Sequence, residues 1–188
     1  MSLKTNQRYK AAIIFLIPFL VVIASTALFY SGASPEGRTN NGQLIDPPID
    51  LSELSIEGLK DGFPEKWIIM HFLKGPCELN CWESLYKTRQ VNVLLGRDRQ
   101  RLSRYLVLSN FDNLSESDLI KLSSEYPNLK IRKIDRQNLP VEFFVDEING
   151  SYLLFDPLGN GILFYNSKLP GGELLEDLKK LLKNSKIG

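Results

Sequence analysis

The chain has 188 residues, 43% of them apolar, and its 23 basic residues against 22 acidic ones leave a net charge of +1. That length accommodates about one domain plus a short appendage. The balanced charge excludes a global basic field for nucleic acid and an acidic tail, and no internal repeat or low-complexity tract is present.

From the N-terminus, Ala11 to Tyr30 reads AAIIFLIPFLVVIASTALFY, with no charged residue. Twenty residues are about what a helix needs to cross a bilayer, and Pro18 is tolerable in a membrane helix. Lys4, Arg8 and Lys10 precede the run, and the next basic residue is Arg38. The positive-inside rule then puts residues 1–10 in the cytoplasm and exports everything after the anchor at 11–31. A cleaved signal peptide is the alternative. Its apolar region spans only about 7–15 residues, and Ser31-Gly32-Ala33 is a weak cleavage signal.

Residues 32–50, rich in Gly, Ser, Asn and Pro, read as an extended linker before a globular domain at 51–188. Trp67 to Leu73 is short, aromatic and aliphatic, which predicts a buried strand. Cys77 to Leu95 has helical spacing, with Leu79, Trp82, Leu85, Tyr86, Val93 and Leu94 near one face and Gly96 as the break. Arg104 to Ser109 is the next strand. Ser115-Glu116-Ser117-Asp118 resembles a capping box and opens a short helix that stops before Pro127. Leu129 to Ile134 alternates like a strand. Ser151 to Phe155 and Ile162 to Tyr165 flank the turn sequence Asp156 to Gly161 and predict a hairpin. Glu173 to Lys183 is an amphipathic closing helix. Strand–helix–strand units followed by a hairpin and a helix predict an α/β, thioredoxin-like fold behind one transmembrane helix.

The chemistry concentrates in the only two cysteines, in Gly75-Pro76-Cys77-Glu78-Leu79-Asn80-Cys81-Trp82, directly after the first strand. Residues i and i+4 on one turn stand roughly 6 Å apart, within reach of a disulfide. A helix N-terminus favours negative charge and so lowers a thiol's pKa, and the thiolate is both nucleophile and soft-metal ligand. Cys77, nearer the helix start, is the expected attacking thiol. A purely structural bridge is the plain alternative, but closing so short a loop contributes only about 2 kcal/mol. The single histidine, His71, stands in the strand six residues before Cys77. It is a candidate third metal ligand only if the loop folds back, and otherwise a sheet residue packed on a helix. Met70 reads as core filler on the other face. Arg97, Arg99, Arg101 and Arg104 can face lipid phosphate or a partner, or simply form a solvated helix end. Asp146 and Glu147, before the hairpin, are candidate proton shuttles or plain loop carboxylates.

On these residues the chain resembles the SCO family of cytochrome c oxidase assembly proteins. The match lies in Trp67 to Phe72, in Cys77 and Cys81, in Ser151 to Gly159 and in the closing helix. A single-pass proteobacterial branch is closest, through Asn40 to Pro48, Leu85 to Val91, Leu95 to Asp98, Asp156 to Asn160 and Leu181 to Gly188. The resemblance implies a periplasmic domain on the bacterial inner membrane. Its partners would be an oxidase subunit or another respiratory assembly protein and the lipid bilayer, with no nucleic acid. Cu(I) is the one metal it admits, on Cys77 and Cys81. One departure matters: the family completes its copper site with a distal histidine just before the hairpin, and this chain reads Val145 to Gly150 there with none. A membrane-tethered thiol–disulfide oxidoreductase of wider range and a non-catalytic scaffold are the other two classes. Thioredoxins proper fit less well, because their spacer is C-x-x-C and a proline directly precedes the hairpin strand; here the nearest is Pro140.

Overall fold

A computed structural model describes residues 3–32, 39–59, 65–109, 114–134 and 150–187. The chain divides into two compact units, Met1–Thr39 and Asn40–Gly188.

The first unit is helix α1, Leu3–Tyr30, whose stretch Ile13–Tyr30 is long and apolar enough to cross a membrane. Its large side chains, from Ile13 to Tyr30, are exposed, as a surface solvated by lipid requires. The two aliphatic hydroxyls within the stretch are not left bare. Ser25 Oγ donates to the Val22 carbonyl at 3.0 Å and Thr26 Oγ1 to the same oxygen at 2.8 Å. Satisfying polar groups inside the helix is the condition for burying them in hydrocarbon.

The second unit is built on a six-stranded mixed sheet. Its elements are β1 (Gln43–Asp50), β2 (Trp67–Leu73), α2 (Leu79–Leu94), a 3-10 turn (Gly96–Arg101), β3 (Leu102–Leu108), α3 (Glu116–Glu125), β4 (Leu129–Lys133), β5 (Tyr152–Phe155), β6 (Asn160–Tyr165) and α4 (Gly171–Asn184). The strands lie in the order β1-β6-β5-β2-β3-β4. The β2–β3 and β3–β4 pairs are parallel, as the strand–helix–strand units require, and the β5–β6 hairpin runs antiparallel to both β2 and β1. Every residue of β2 is buried. Alternation along it feeds two layers. Ile68, Met70 and Phe72 join Ile45, Leu51, Leu54 and Ile56 on one face. Trp67 and Ile69 join α2 and α4 residues on the other face, while Leu73 joins α2 and α3 residues. Among the described residues, then, the helices share one face and the turns of residues 51–59 cover the other.

Two local signals were legible. Ser115 and Asp118 form a reciprocal capping box at the start of α3. Asp156 closes the hairpin turn by accepting from the Leu158 and Asn160 amides, each at 2.9 Å.

The linker reading of residues 32–50 needs correction. Gln43–Asp50 is an edge strand paired with β6, and the sheet begins before residue 51. Pro47 and Pro48, which lack N–H donors, fall where the register shifts between Leu44 and Ile49. An edge strand tolerates that loss, and so its sequence looks like linker. The anchor of this strand is the buried carboxylate of Asp177 on α4. It accepts from the Asn41 amide, from the Gly42 amide at 2.9 Å and from the Tyr165 hydroxyl at 2.9 Å. Gly42 permits the approach, because a Cβ there would stand 2.7 Å from the Tyr165 ring.

Asp177→Ala leaves these donors unpartnered in a buried place. Urea denaturation of the 40–188 unit should show a loss of about 2–4 kcal/mol, given about 1.5–3 kcal/mol for a hydrogen bond to a charged group. A loss below about 1 kcal/mol would show that the clasp contributes little.

Candidate functional site

Strand β2 ends at Leu73, and Cys77 follows on the short connection into α2. The helix starts at Leu79, two residues later than its spacing predicts, with Glu78 as N-cap. Cys77 therefore stands just outside the helix and Cys81 in its first turn. They are joined by a disulfide, with Cα atoms 5.3 Å apart. The Glu78 side chain makes no capping bond, and the Trp82 amide donates to the Glu78 carbonyl at 3.1 Å. The amides of the first turn and the positive end of the helix dipole are thus left for whatever charge appears at the cysteines. Both residues are buried, Cys77 at 8% exposure and Cys81 at 3%, against Leu73, Leu85, Leu106 and Leu108. Next to them Leu79 is 71% exposed.

Gly150, ahead of β5, is a site residue that the sequence reading missed. Its φ is +99°, and a Cβ there would meet the Asn80 carbonyl oxygen at 2.7 Å. Asn80 lies between the cysteines, so the chain entering the hairpin rests on the disulfide turn. A lone Gly before a strand is the only sequence trace of this contact.

His71 lies elsewhere in the network. Its Nε2 is 3.0 Å from Thr88 Oγ1. Thr88 is seven residues beyond Cys81 on α2, about 10 Å along the axis. The His71 ring packs on Tyr152 at 5.0 Å between centroids, and Tyr152 stacks on Tyr165 at 5.2 Å. The same Thr88 oxygen accepts from Arg104 Nη2 at 3.1 Å, and the Leu85 carbonyl accepts from that nitrogen at 2.9 Å. Burial, and then the Arg104 charge, hold the His71 imidazole well below its ordinary pKa. Burial likewise lowers Arg104, to about 10. Met70 is fully buried on the opposite face, packed in the core.

The arginine run separates by role. Arg101 donates to the Leu182, Ser185 and Ile187 carbonyls at 2.8, 2.8 and 3.0 Å, and so closes the C-terminus of α4. Arg104 is buried, while Arg97 and Arg99 are exposed. Asp146 and Glu147 lie outside the described residues.

The residues present do not fit a three-ligand copper centre of the SCO kind. The chain's one histidine is engaged by Thr88, and no group of three or more His, Cys, Asp or Glu suited to a metal occurs among the described residues. A reduced Cys77–Cys81 pair offers two thiolates only.

A sheet of this topology with a cysteine pair at the start of the helix after β2 defines a thioredoxin-like domain. More particularly, the chain belongs to the family described as transmembrane-like, thioredoxin-like, C-terminal domain, whose model matches residues 67–185. No curated protein sequence matches it. Among solved structures it is similar to apo Sco1 of Thermus thermophilus (TM-score 0.55, 15% identity, covering 78% of this chain and 99% of that one). It is also similar to a SCO1/SenC family lipoprotein of Bacillus anthracis (TM-score 0.50, 14% identity, 73% and 98%). A thioredoxin-like protein of Porphyromonas gingivalis is a third (TM-score 0.51, 14% identity, 65% and 80%). These likenesses are of fold, and the thioredoxin-like architecture expected from the sequence is the one observed.

Two outcomes test this geometry. Gly150→Ala should destabilise the oxidised 40–188 unit by about 1–3 kcal/mol, and the reduced form by less, because an unbridged turn can yield. Equal losses in both forms would uncouple Gly150 from the disulfide. For His71, the folded-state pKa is depressed, so its contribution to stability is complete above about pH 6.5. Below that the unfolded chain takes up the proton first, and stability falls by up to about 1.4 kcal/mol per pH unit until the folded pKa is reached. Urea denaturation between pH 7 and 5 should therefore show a shallower pH slope in His71→Gln. Unchanged slope would place the buried neutral imidazole in error.

Proposed function

We propose that this protein is a membrane-tethered thiol–disulfide exchange factor in the assembly of a respiratory cytochrome oxidase, working through Cys77 and Cys81 on the exported side of the bacterial inner membrane. The observation that carries the reading is the bridged pair at a helix N-terminus that lacks a third metal ligand among the described residues. The basic residues Lys4, Arg8 and Lys10 before the apolar helix support a cytoplasmic N-terminus and an uncleaved anchor. The resemblance of the cysteine motif and its flanking segments to the SCO family supports oxidase assembly over general thiol exchange.

In the reduced protein, Cys77, the more exposed of the two, is the attacking thiolate. It forms a bond to one sulfur of a partner disulfide, and the other partner sulfur leaves as a thiolate. Cys81 then attacks the Cys77 sulfur and expels the second partner thiolate. Two electrons pass to the partner, and this chain ends with the Cys77–Cys81 bond. The open amides of the first turn stabilise Cys77 as a thiolate, both as nucleophile and as leaving group. A second reading, Cu(I) carried on the two thiolates, keeps the same residues and rests on the pair's soft-ligand chemistry.

Trapping separates these readings. Cys81→Ser should accumulate a mixed disulfide with an oxidised partner-peptide disulfide, and Cys77→Ser should accumulate at least about tenfold less. Anaerobic Cu(I) competition should show weak binding to the reduced protein. Tight one-to-one binding lost in both variants would replace exchange by copper transfer. Rescue of a deletion strain's oxidase by the double Cys→Ser variant would leave only a scaffold.

A further inference from the structure

At the end of the sheet away from the cysteines lies a cleft of about 430 Å³, formed where β2, β3 and β4 begin and where α2 and the 3-10 turn end. Its lining includes Lys66, Arg99, Arg104 and Lys130, and no Asp or Glu among the described residues. Asn92 and Asn128 add neutral amides. None of the four cations has a carboxylate partner among the described residues. Lys130 Nζ instead lies 3.3 Å from the Tyr105 hydroxyl. Arg104 is only 4% exposed, and its Nε and Nη2 are spent on Thr88 and Leu85.

In a chain whose charges otherwise nearly cancel, gathering four cations around one recess costs repulsion unless an anion offsets it. Two arginines and two lysines flanked by amides match phosphate oxygens, which accept several charge-assisted hydrogen bonds at once. The volume suits a small phosphorylated molecule. The register places the cleft within the sheet. Gln43, where the chain enters the sheet, pairs with Phe164 near Tyr165, and Tyr165 pairs with Tyr152, which in turn pairs with His71 toward the cysteine end. The cleft is at the opposite end of the sheet from the cysteines.

We infer that this cleft is a binding site for a soluble phosphate or diphosphate group, held by Lys66, Arg99 and Lys130, with the buried Arg104 adding its charge beneath them. The site shares no residue with the cysteine pair, so it stands or falls apart from the exchange chemistry.

The test uses the full chain in phosphatidylcholine nanodiscs, titrated calorimetrically with inorganic diphosphate at low salt. Saturable one-to-one binding is expected, weakened at least about tenfold in Arg99→Gln/Lys130→Gln, since each lost contact is a charge-assisted bond. Arg97→Gln, an exposed arginine outside the lining, should leave it unchanged. All three substituted residues lie on the surface, and circular dichroism verifies the folding of both variants. Absence of saturable binding, or an equal loss in Arg97→Gln, would overturn the site. So would amine protection of Lys66 and Lys130 that appears only in discs containing phosphatidylglycerol, which would assign the cations to a lipid headgroup.

Discussion

One carboxylate ties the second unit together. Asp177 projects from α4 and receives donors from the start of the sheet and from the end of β6. Each of those elements is weakly specified alone. The first strand is interrupted by two prolines, and the closing helix has only one face to bury. A buried carboxylate is stable when its oxygens are fully engaged, and here it is engaged only if strand and helix are both in register. The same contact fixes the stacked Tyr165–Tyr152 pair and, beyond it, His71 against α2.

Around that frame the cysteine turn is held by packing on one side and by backbone on the other. Leucines from β2, β3 and α2 fill the space beneath it. Gly150 rests on the Asn80 carbonyl above it. Leu79 stands exposed at its rim, and no side chain caps the start of the helix. The turn therefore combines low accessibility with a position at a helix N-terminus. Under the proposed function, that combination favours exchange with a partner that docks over general reactivity toward small thiols.

The parts of this arrangement that are local in sequence were legible there. The strand–cysteine–helix run, the Ser115 capping box and the Asp156 turn each carry their signal within a few residues. What escaped is non-local. The partner of β1 lies more than a hundred residues away, so its prolines and amides read as linker until β6 is beside it. Gly150 looks like any turn glycine, because the atom that excludes a side chain belongs to Asn80. The arginines 97 to 104 form one basic run in sequence, yet one closes a helix, one is buried on Thr88 and two remain at the surface. The surroundings of His71 are non-local too, since the two faces of a strand are equivalent until a helix is laid on one of them.

The two sheet edges have a bearing on how many such domains can share a membrane. On one side stands β1 with Pro47 and Pro48; on the other stands β4, reading Leu-Lys-Ile-Arg-Lys. Prolines remove donors from the first ladder, and a row of like charges opposes a second copy at the other. Tethering to a bilayer confines proteins to a plane, where local concentration is high and open strands would zip into fibrils. Both edges are already blunted against it, so crowding can bring these domains together without joining their sheets.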